Sequence, residues 1–479
     1  MRFTTFGFLV FFIFVYIIYW SLRGKNRLFF LAVASSVFYA VWSIPFFLHF
    51  AGLVFLNYFF VTLLRKKRSR ATLSVILTID FANLFLFKYF YFFCEILFDI
   101  SGFSGFQTAS LNQNLQQSFG IDAIILPLAI SFYTFQIVAY VVDVYRNQIE
   151  RTDTLLEFYV FILFFPQLVA GPIMRHSNFF YQLNNILPKQ ENLIRGVSLL
   201  LIGLIKKVLI ADNLAAVVHP VYRQPELYTG VSSAIVIIGY TAQVYSDFSG
   251  YTDLARGMGL MLGLELPENF SGPFFSRTVS EFWRRWHITL STWLRDYIYI
   301  PLGGSRTGQA RSNFNLLLTF VAGGLWHGAN YTFFVWGFTA GILLMIERII
   351  SNQTKIPQQL AKWRQNKFNR FWLNGLGLLY AYSAFVFGAA FFNAPDVSHT
   401  ATMAKRFFSG INTGMQVDIE MILGLTFVAF GFNYLQYKNF NIKLNLARDW
   451  TLLTFASLLV IWLLGLYAPG GQNFIYFQF

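Results

Sequence analysis

Apolar residues continue for about 20 positions at a time, the length that crosses a bilayer, along nearly the whole of this chain. That feature excludes a water-soluble globule. Hydrophobic types make up 56% of the 479 residues, charged types only 12%, and phenylalanine alone occurs 59 times, more apolar surface than one soluble core can hide. Disorder and a collagen-like chain are excluded by the same figures. The single cysteine, Cys94, lies inside an apolar run, so neither a disulfide framework nor a cysteine-based metal site forms within one chain. Packing is its ordinary role. The runs are continuous and do not alternate, which argues against a membrane β-barrel. What remains is an all-α, polytopic integral membrane protein.

Candidate spans run from Phe3 to Trp20 and near 28–42, 46–64, 73–100, 123–144, 192–218, 231–263, 313–346, 371–393, 419–436 and 450–467, about eleven in all. The first has no basic region beyond Arg2 and no small-residue cleavage site, so it reads as a retained helix. A net charge of +14 would suggest nucleic acid in a soluble protein. Here the excess sits in short loops and sets sidedness instead. Arg23, Lys25 and Arg27 follow the first span, and Arg65, Lys66, Lys67, Arg68 and Arg70 follow the third. The stretch from Ser101 to Asp122 has no Lys or Arg. Further basic groups stand at Arg146 and Arg151, between Lys355 and Arg370, and at Lys438, Lys443 and Arg448. The positive-inside rule places these loops in the cytoplasm and both chain ends outside, with Lys405 and Arg406 as an exception. Between 155 and 312, Pro166, Gly171, Pro172, Pro267 and Pro273 break the apolar stretches. Broken segments at membrane depth need protein or a water-filled cavity around them, so a thinned, funnel-like centre is expected. No internal repeat or low-complexity linker interrupts the chain, and a single domain over 1–479 is the simplest partition.

Ionisable groups inside apolar runs carry the chemical information, because each is costly to place there. His327 lies in Phe320-Val-Ala-Gly-Gly-Leu-Trp-His-Gly-Ala-Asn330, near the middle of a span, with Gly324 and Gly328 as a small-residue pair that admits a neighbour closely. It is either a base in a midplane cavity or a buried histidine bonded to a neighbouring helix. His287 lies in Glu281-Phe-Trp-Arg-Arg-Trp-His-Ile-Thr-Leu-Ser-Thr-Trp-Leu-Arg-Asp296. There Trp283, Trp286, Leu290, Trp293 and Tyr297 form one helical stripe, the pattern of an interfacial amphipathic helix. Its Arg284, Arg285 and Arg295 either meet anionic groups of a substrate or snorkel to lipid phosphates. Asp247 and Asp253 beside an apolar run could orient a histidine or pair with an arginine. His49, His176, His219 and His399 stand near ends or loops and read as structural. The two central histidines lack a third clustered ligand, so no metal site is expected. No nucleophile elbow, phosphate loop, zincin motif or dinucleotide fingerprint is present. After Pro469 the chain ends in Phe474-Ile-Tyr-Phe-Gln-Phe479. Tyr476 there is either an interfacial anchor or a hydroxyl at the outer mouth of a cavity.

These stretches also carry a resemblance. Leu126-Pro-Leu-Ala-Ile-Ser-Phe-Tyr-Thr-Phe-Gln136, Phe165-Pro-Gln-Leu-Val-Ala-Gly-Pro172, Asp247-Phe-Ser-Gly-Tyr-Thr-Asp253, Pro267-Glu-Asn-Phe270, the two histidine segments, Tyr299-Ile-Pro-Leu-Gly-Gly304 and the aromatic tail at 469–479 together resemble the membrane-bound O-acyltransferase family. The branch is that of the alginate and peptidoglycan O-acetylation membrane subunits, and the match is densest over 120–345. The resemblance implies helices around a central tunnel, with re-entrant or interfacial segments. It also implies an acyl donor entering from the cytoplasm, His327 as the catalytic histidine and His287 as the second functional histidine. The expected reaction moves an acetyl group from a cytoplasmic thioester, acetyl-CoA, to a hydroxyl on the far side, for O-acetylation of an extracytoplasmic polysaccharide. In it Arg284, Arg285 and Arg295 hold donor phosphates, Asp247, Asp253 and Asn330 orient, and Tyr476 is a candidate acyl relay. No bound cofactor and no nucleic acid are expected. The expected partners are membrane lipids and an extracytoplasmic acetyltransferase, and the expected location is the bacterial inner membrane. A D-alanyl or longer-chain acyltransferase of the same family is the alternative. A transporter of a modified glycan precursor is another, since broken central helices also suit transporters.

Overall fold

The computed structural model describes residues 3–169, 171–183, 186–306, 308–352, 358–359, 362–363, 365–439 and 446–469. Among them every regular element is a helix, apart from an isolated parallel bridge between Tyr228 and Met415. A chain this apolar must satisfy its backbone polar groups internally, and the helix does so within one segment.

The chain divides into two compact units. One comprises Met1–Val169 and Ile173–Ile186, the other Ala170–Pro172 and Leu187–Phe479. The first holds α1 (Phe6–Ser21), α2 (Gly24–Ala40), α3 (Ile44–Lys66), α4 (Arg70–Ser101), α5 (Thr108–Phe119), α6 (Ile130–Tyr145) and α7 (Leu155–Leu163). Local signals fix several starts. Ser43 caps α3, with Pro45 in its first turn, and Thr154 and Glu157 form a reciprocal capping box at α7. α6 is apolar on nearly all sides and is correspondingly buried along most of its length. Asp153, fully buried in this unit, takes a hydrogen bond from the Tyr140 hydroxyl (2.7 Å) and pairs with His176 (3.0 Å). His176 is thereby held against a buried carboxylate.

The second unit contains α8 (Gln190–Leu204), a widened π turn (Ile205–Asp212), α9 (Asn213–Arg223) and α10 (Gly230–Met261). It continues with α11 (Val279–Arg285), α12 (Ile288–Leu294), α13 (Gln309–His327), α14 (Tyr331–Ser351), α15 (Lys367–Phe392), α16 (Val397–Phe408), α17 (Ile419–Tyr437) and α18 (Leu446–Tyr467). α10 is the central post, buried almost continuously from Gly239 to Leu260. α8 lies against it at Gly203 and Gly250, where a Cβ on either would come within 2.8 or 2.9 Å of the other's carbonyl oxygen. Two lysines of the π turn are thereby driven into the same interface. Lys206 bonds Asp253 (2.7 Å) and Ser249 (2.9 Å), while Lys207 is paired with Asp212 (2.8 Å) and with Asp247.

Six helices among the described residues are long and apolar enough to cross a membrane: α3, α4, α14, α15, α17 and the Trp450–Tyr467 part of α18. The expected count of about eleven is not reached by length and hydropathy, for physical reasons that differ from run to run. α1 and α2 have only 16 and 17 residues. The run at 123–144 becomes helical only at Ile130, after Ala129 takes a left-handed φ of 61°. The run at 192–218 is interrupted by the π turn. The run at 313–346 is two helices, because Gly328 and Asn330 leave the helical conformation and Asn330 caps the second helix by accepting from the Thr332 amide (3.0 Å).

Candidate active site

α13 and α14 form a hairpin, and His327 is its tip, the last residue of α13. It therefore sits at a helix end, not in mid-span as the apolar run suggested. Measured along the axis, about 28 Å separates it from the start of α13. The two helices pack closely because Gly324 faces the Phe333 carbonyl and Gly337 faces the Phe320 carbonyl, with no space for a Cβ at either.

The arginine-rich segment also departs from a continuous amphipathic helix. α11 ends at Arg285, and His287 takes a left-handed φ of 42° before α12 begins. An L-residue holds that conformation at a cost of about 1–3 kcal/mol, and such residues gather at functional sites. Asn269 holds the break in place. Its carbonyl accepts from the Ile288 amide (3.0 Å) and its side-chain oxygen from the Thr289 hydroxyl (2.6 Å).

The break and the hairpin tip meet. His287 and His327 are 2% and 3% exposed, and their rings lie 6.4 Å apart. Aromatic side chains enclose them. Trp336, Phe392 and Trp326 each approach the His327 ring at 5.0 Å, and Phe248 meets His287 edge-on at 4.6 Å. Both histidines line a cavity of about 1030 Å³. α13 contributes Leu316, Thr319, Phe320, Gly323 and His327, spaced three or four residues apart and so on one face. α14 contributes Trp336, Leu344, Glu347, Arg348 and Ser351. From Trp336 to Arg348 is about 18 Å along the helix. The end of the cavity away from the histidines is polar. Arg348 donates to the Tyr299 hydroxyl (3.1 Å), which lies 2.9 Å from the Ser312 hydroxyl.

The candidates from the sequence fall into three groups. His327, His287, Arg284 and Arg295 line this one cavity. Arg284 is exposed and has no acidic partner recorded among the described residues, whereas Arg295 is bonded to Asp296 (2.6 Å), which raises its affinity for its proton. Arg285 is engaged elsewhere, on Glu281 (3.0 Å), on the Ser271 carbonyl (2.9 Å) and over the Tyr437 ring, so it holds its own segment together. Asp247 and Asp253 carry the lysine pairs of the π turn, and Asn330 caps α14 while donating to the Pro395 carbonyl (2.9 Å). Beside it, Asp396 caps α16, and hydrogen bonds from His399 and Ser398 hold its carboxyl well below the usual carboxylate range. Tyr476 lies outside the described residues.

Among the lining residues that sequence reasoning did not name are Trp336, Glu347 and Arg348. The signal for the last two was an ionisable pair at the end of the apolar run 313–346. Glu347 accepts hydrogen bonds from the Val279 (2.5 Å) and Ser280 (2.9 Å) amides, tying α14 to the first turn of α11. Glu347→Ala leaves both amides without this acceptor and is expected to lower stability by about 1–3 kcal/mol. The thermal midpoint of the detergent-solubilised protein checks this, and an unchanged midpoint would show that the contact is dispensable.

No cluster of three or more metal-binding side chains occurs among the described residues. The chemistry on offer is two buried imidazoles and the guanidinium groups of Arg284, Arg295 and Arg348 lining one cavity. The chain as a whole is similar to known proteins. The sequence profile of the membrane-bound O-acyltransferase family covers residues 35–391. The probable alginate O-acetylase AlgI of Pseudomonas putida is 36% identical over 95% of each chain. The peptidoglycan O-acetyltransferase of Helicobacter pylori is 33% identical over 95% of this chain and 93% of its own. The teichoic acid D-alanyltransferase of Bacillus subtilis is 28% identical over 57% of this chain and 70% of its own. A profile spanning most of the sequence, two near-full-length relatives and an all-helical membrane architecture agree: the chain is an acyltransferase of the membrane-bound O-acyltransferase family.

Proposed function

We propose that this enzyme takes an acetyl group from acetyl-CoA at the cytoplasmic face of the bacterial inner membrane. It passes the group to a hydroxyl on the far side, for O-acetylation of an extracytoplasmic polysaccharide. The observation that carries this is the single cavity with His287 and His327 at one end and Arg348 toward the other. In sequence, Arg306 and Arg311 stand at the start of α13 and further basic residues from Lys355 to Arg370 follow α14, and the positive-inside rule assigns these flanks to the cytoplasm. Acetyl rather than D-alanyl transfer is favoured by the two relatives that cover about 95% of this chain.

In this mechanism His327 is the general base. It removes the hydroxyl proton as the oxygen attacks the thioester carbonyl. The tetrahedral intermediate collapses, the carbon–sulfur bond breaks, and the departing thiolate takes the proton back from the imidazolium. Products are the ester and free thiol. The positive charge that forms on His327 is stabilised by the negative pole at the end of α13, an effect of about 0.3–1 kcal/mol. His287 is placed to hydrogen-bond the carbonyl oxygen as it gains charge. Arg284, Arg295 and Arg348 hold donor phosphates. The polysaccharide is finished by an extracytoplasmic partner transferase, with Tyr476 as the candidate relay.

The test is the O-acetyl ester content of surface glycans in wild-type and deletion strains, with the deletion complemented by an Arg284→Ala/Arg348→Ala variant. Deletion should remove the ester from one glycan. In isolated membranes the double variant should need at least about tenfold more acetyl-CoA for half-maximal rate, with a smaller change at saturation, since a phosphate contact away from the reacting atoms contributes uniform binding. Unaltered esters in the deletion strain would sink the assignment.

A further inference from the structure

One side chain, Trp336, borders three spaces at once. Its indole faces the large cavity and also two small voids behind it. One, of about 20 Å³, is bounded by Ala340, Ala381, Ala384 and Gly388 among others. The other, of about 10 Å³, is bounded by His327, Val244, Phe385 and Ala389 among others. The indole is held from several sides. It stands perpendicular to Trp283 at 5.3 Å and nearly perpendicular to His327 at 5.0 Å, with Phe392 at 5.4 Å. Gly388 leaves it room, since a Cβ there would come within 3.2 Å of its Cδ1 and Nε1 atoms. The wall is therefore fixed by packing.

The void beside His327 is about the space of a single water-sized sphere, roughly 10–15 Å³. It leaves no space for a chain longer than a methyl group. We propose that Trp336 is the specificity-determining residue for acyl length. With a thioester carbon brought against His327, the acyl substituent points into this void, and Trp336 separates it from the small-residue space beyond. This rests on the acyl-transfer function proposed above and adds to it a limit on the donor: acetyl fits, propionyl and butyryl meet the indole.

The experiment uses the full chain in membranes that retain the acceptor glycan, supplied in turn with acetyl-, propionyl- and butyryl-CoA. Esters are released and identified by mass spectrometry. The wild type should form acetyl esters and discriminate against each added methylene by about ten- to two-hundredfold, the range a hydrophobic pocket supplies. Trp336→Leu joins the voids and should raise butyryl over acetyl use at least about tenfold. Val244→Ala, which opens the void from α10 with a smaller change, should raise propionyl use in the same sense and decides the matter if Trp336→Leu does not accumulate. A wild type that forms butyryl esters as readily as acetyl esters overturns the length limit and leaves acyl transfer standing. So do variants that stay active on acetyl-CoA with an unchanged donor preference. A wild type that forms no ester from any of the three overturns the function itself and this proposal with it.

Discussion

His327→Ala should reduce ester formation by about 10²–10⁴-fold, the usual contribution of a positioned general base. A sugar or phenol hydroxyl is a weak nucleophile near neutral pH, and an unperturbed tyrosine holds its proton to a pKa of about 10. Some group must accept that proton as the new bond forms. In this cavity the imidazole at the tip of the α13–α14 hairpin is the group proposed to do so. The loss should appear at saturating donor as well as at low donor, because the base acts on the transition state rather than on binding. His287→Ala should cost less, since it removes one stabilising donor and leaves the base in place. The measurement is the rate of thioester-dependent ester formation in membranes with matched protein levels. A His327→Ala protein that reaches the membrane folded and keeps half the wild-type rate would remove the general-base assignment.

The second large effect is on stability. Lys207→Met should lower it by about 3–5 kcal/mol, the cost of breaking a buried ion pair from one side. Lys207 is 1% exposed and is shared between Asp212 and Asp247, so its removal takes a buried cation away from two buried carboxylates. The double variant Lys207→Met/Asp247→Asn should recover part of the loss, because one of the two buried negative charges is gone. Thermal unfolding in detergent separates these cases. Equal midpoints for wild type and Lys207→Met would show that the network is not holding α8 and the π turn against α10.

The sequence carries the membrane class and both histidines because these depend on local facts: unbroken apolar runs and ionisable groups inside them. The helix breaks are less legible. Trp283, Trp286, Leu290 and Trp293 fall on one stripe whether or not His287 interrupts it, so periodicity alone predicts a single helix there. What sets the left-handed turn is Asn269, 18 positions earlier, and no local pattern contains that contact. The charged pairs are similar. Lys206 and Lys207 fall inside the apolar run at 192–218, and it is the π turn that carries them onto Asp253 and Asp247, some 40 residues further along the chain. Arg284 and Arg285 are adjacent and chemically alike in sequence, yet one lines the cavity and the other braces Ser271 and Glu281. Trp336 is one aromatic among many, and its place as a wall between three spaces exists only in three dimensions.

The hairpin tip has an electrical consequence in the proposed reaction. At His327 the acyl group passes outward while the proton of the acceptor hydroxyl passes inward to the thiol. An acylium equivalent and a proton carry the same charge, so the two crossings cancel and each compartment keeps the net charge it had. A single uncompensated charge would be weighed by the membrane voltage at about 2.3 kcal/mol per 100 mV. Here that voltage neither assists nor resists the transfer. The direction of the reaction is set by the thioester alone, and a modification is delivered across the bilayer without any net charge being moved.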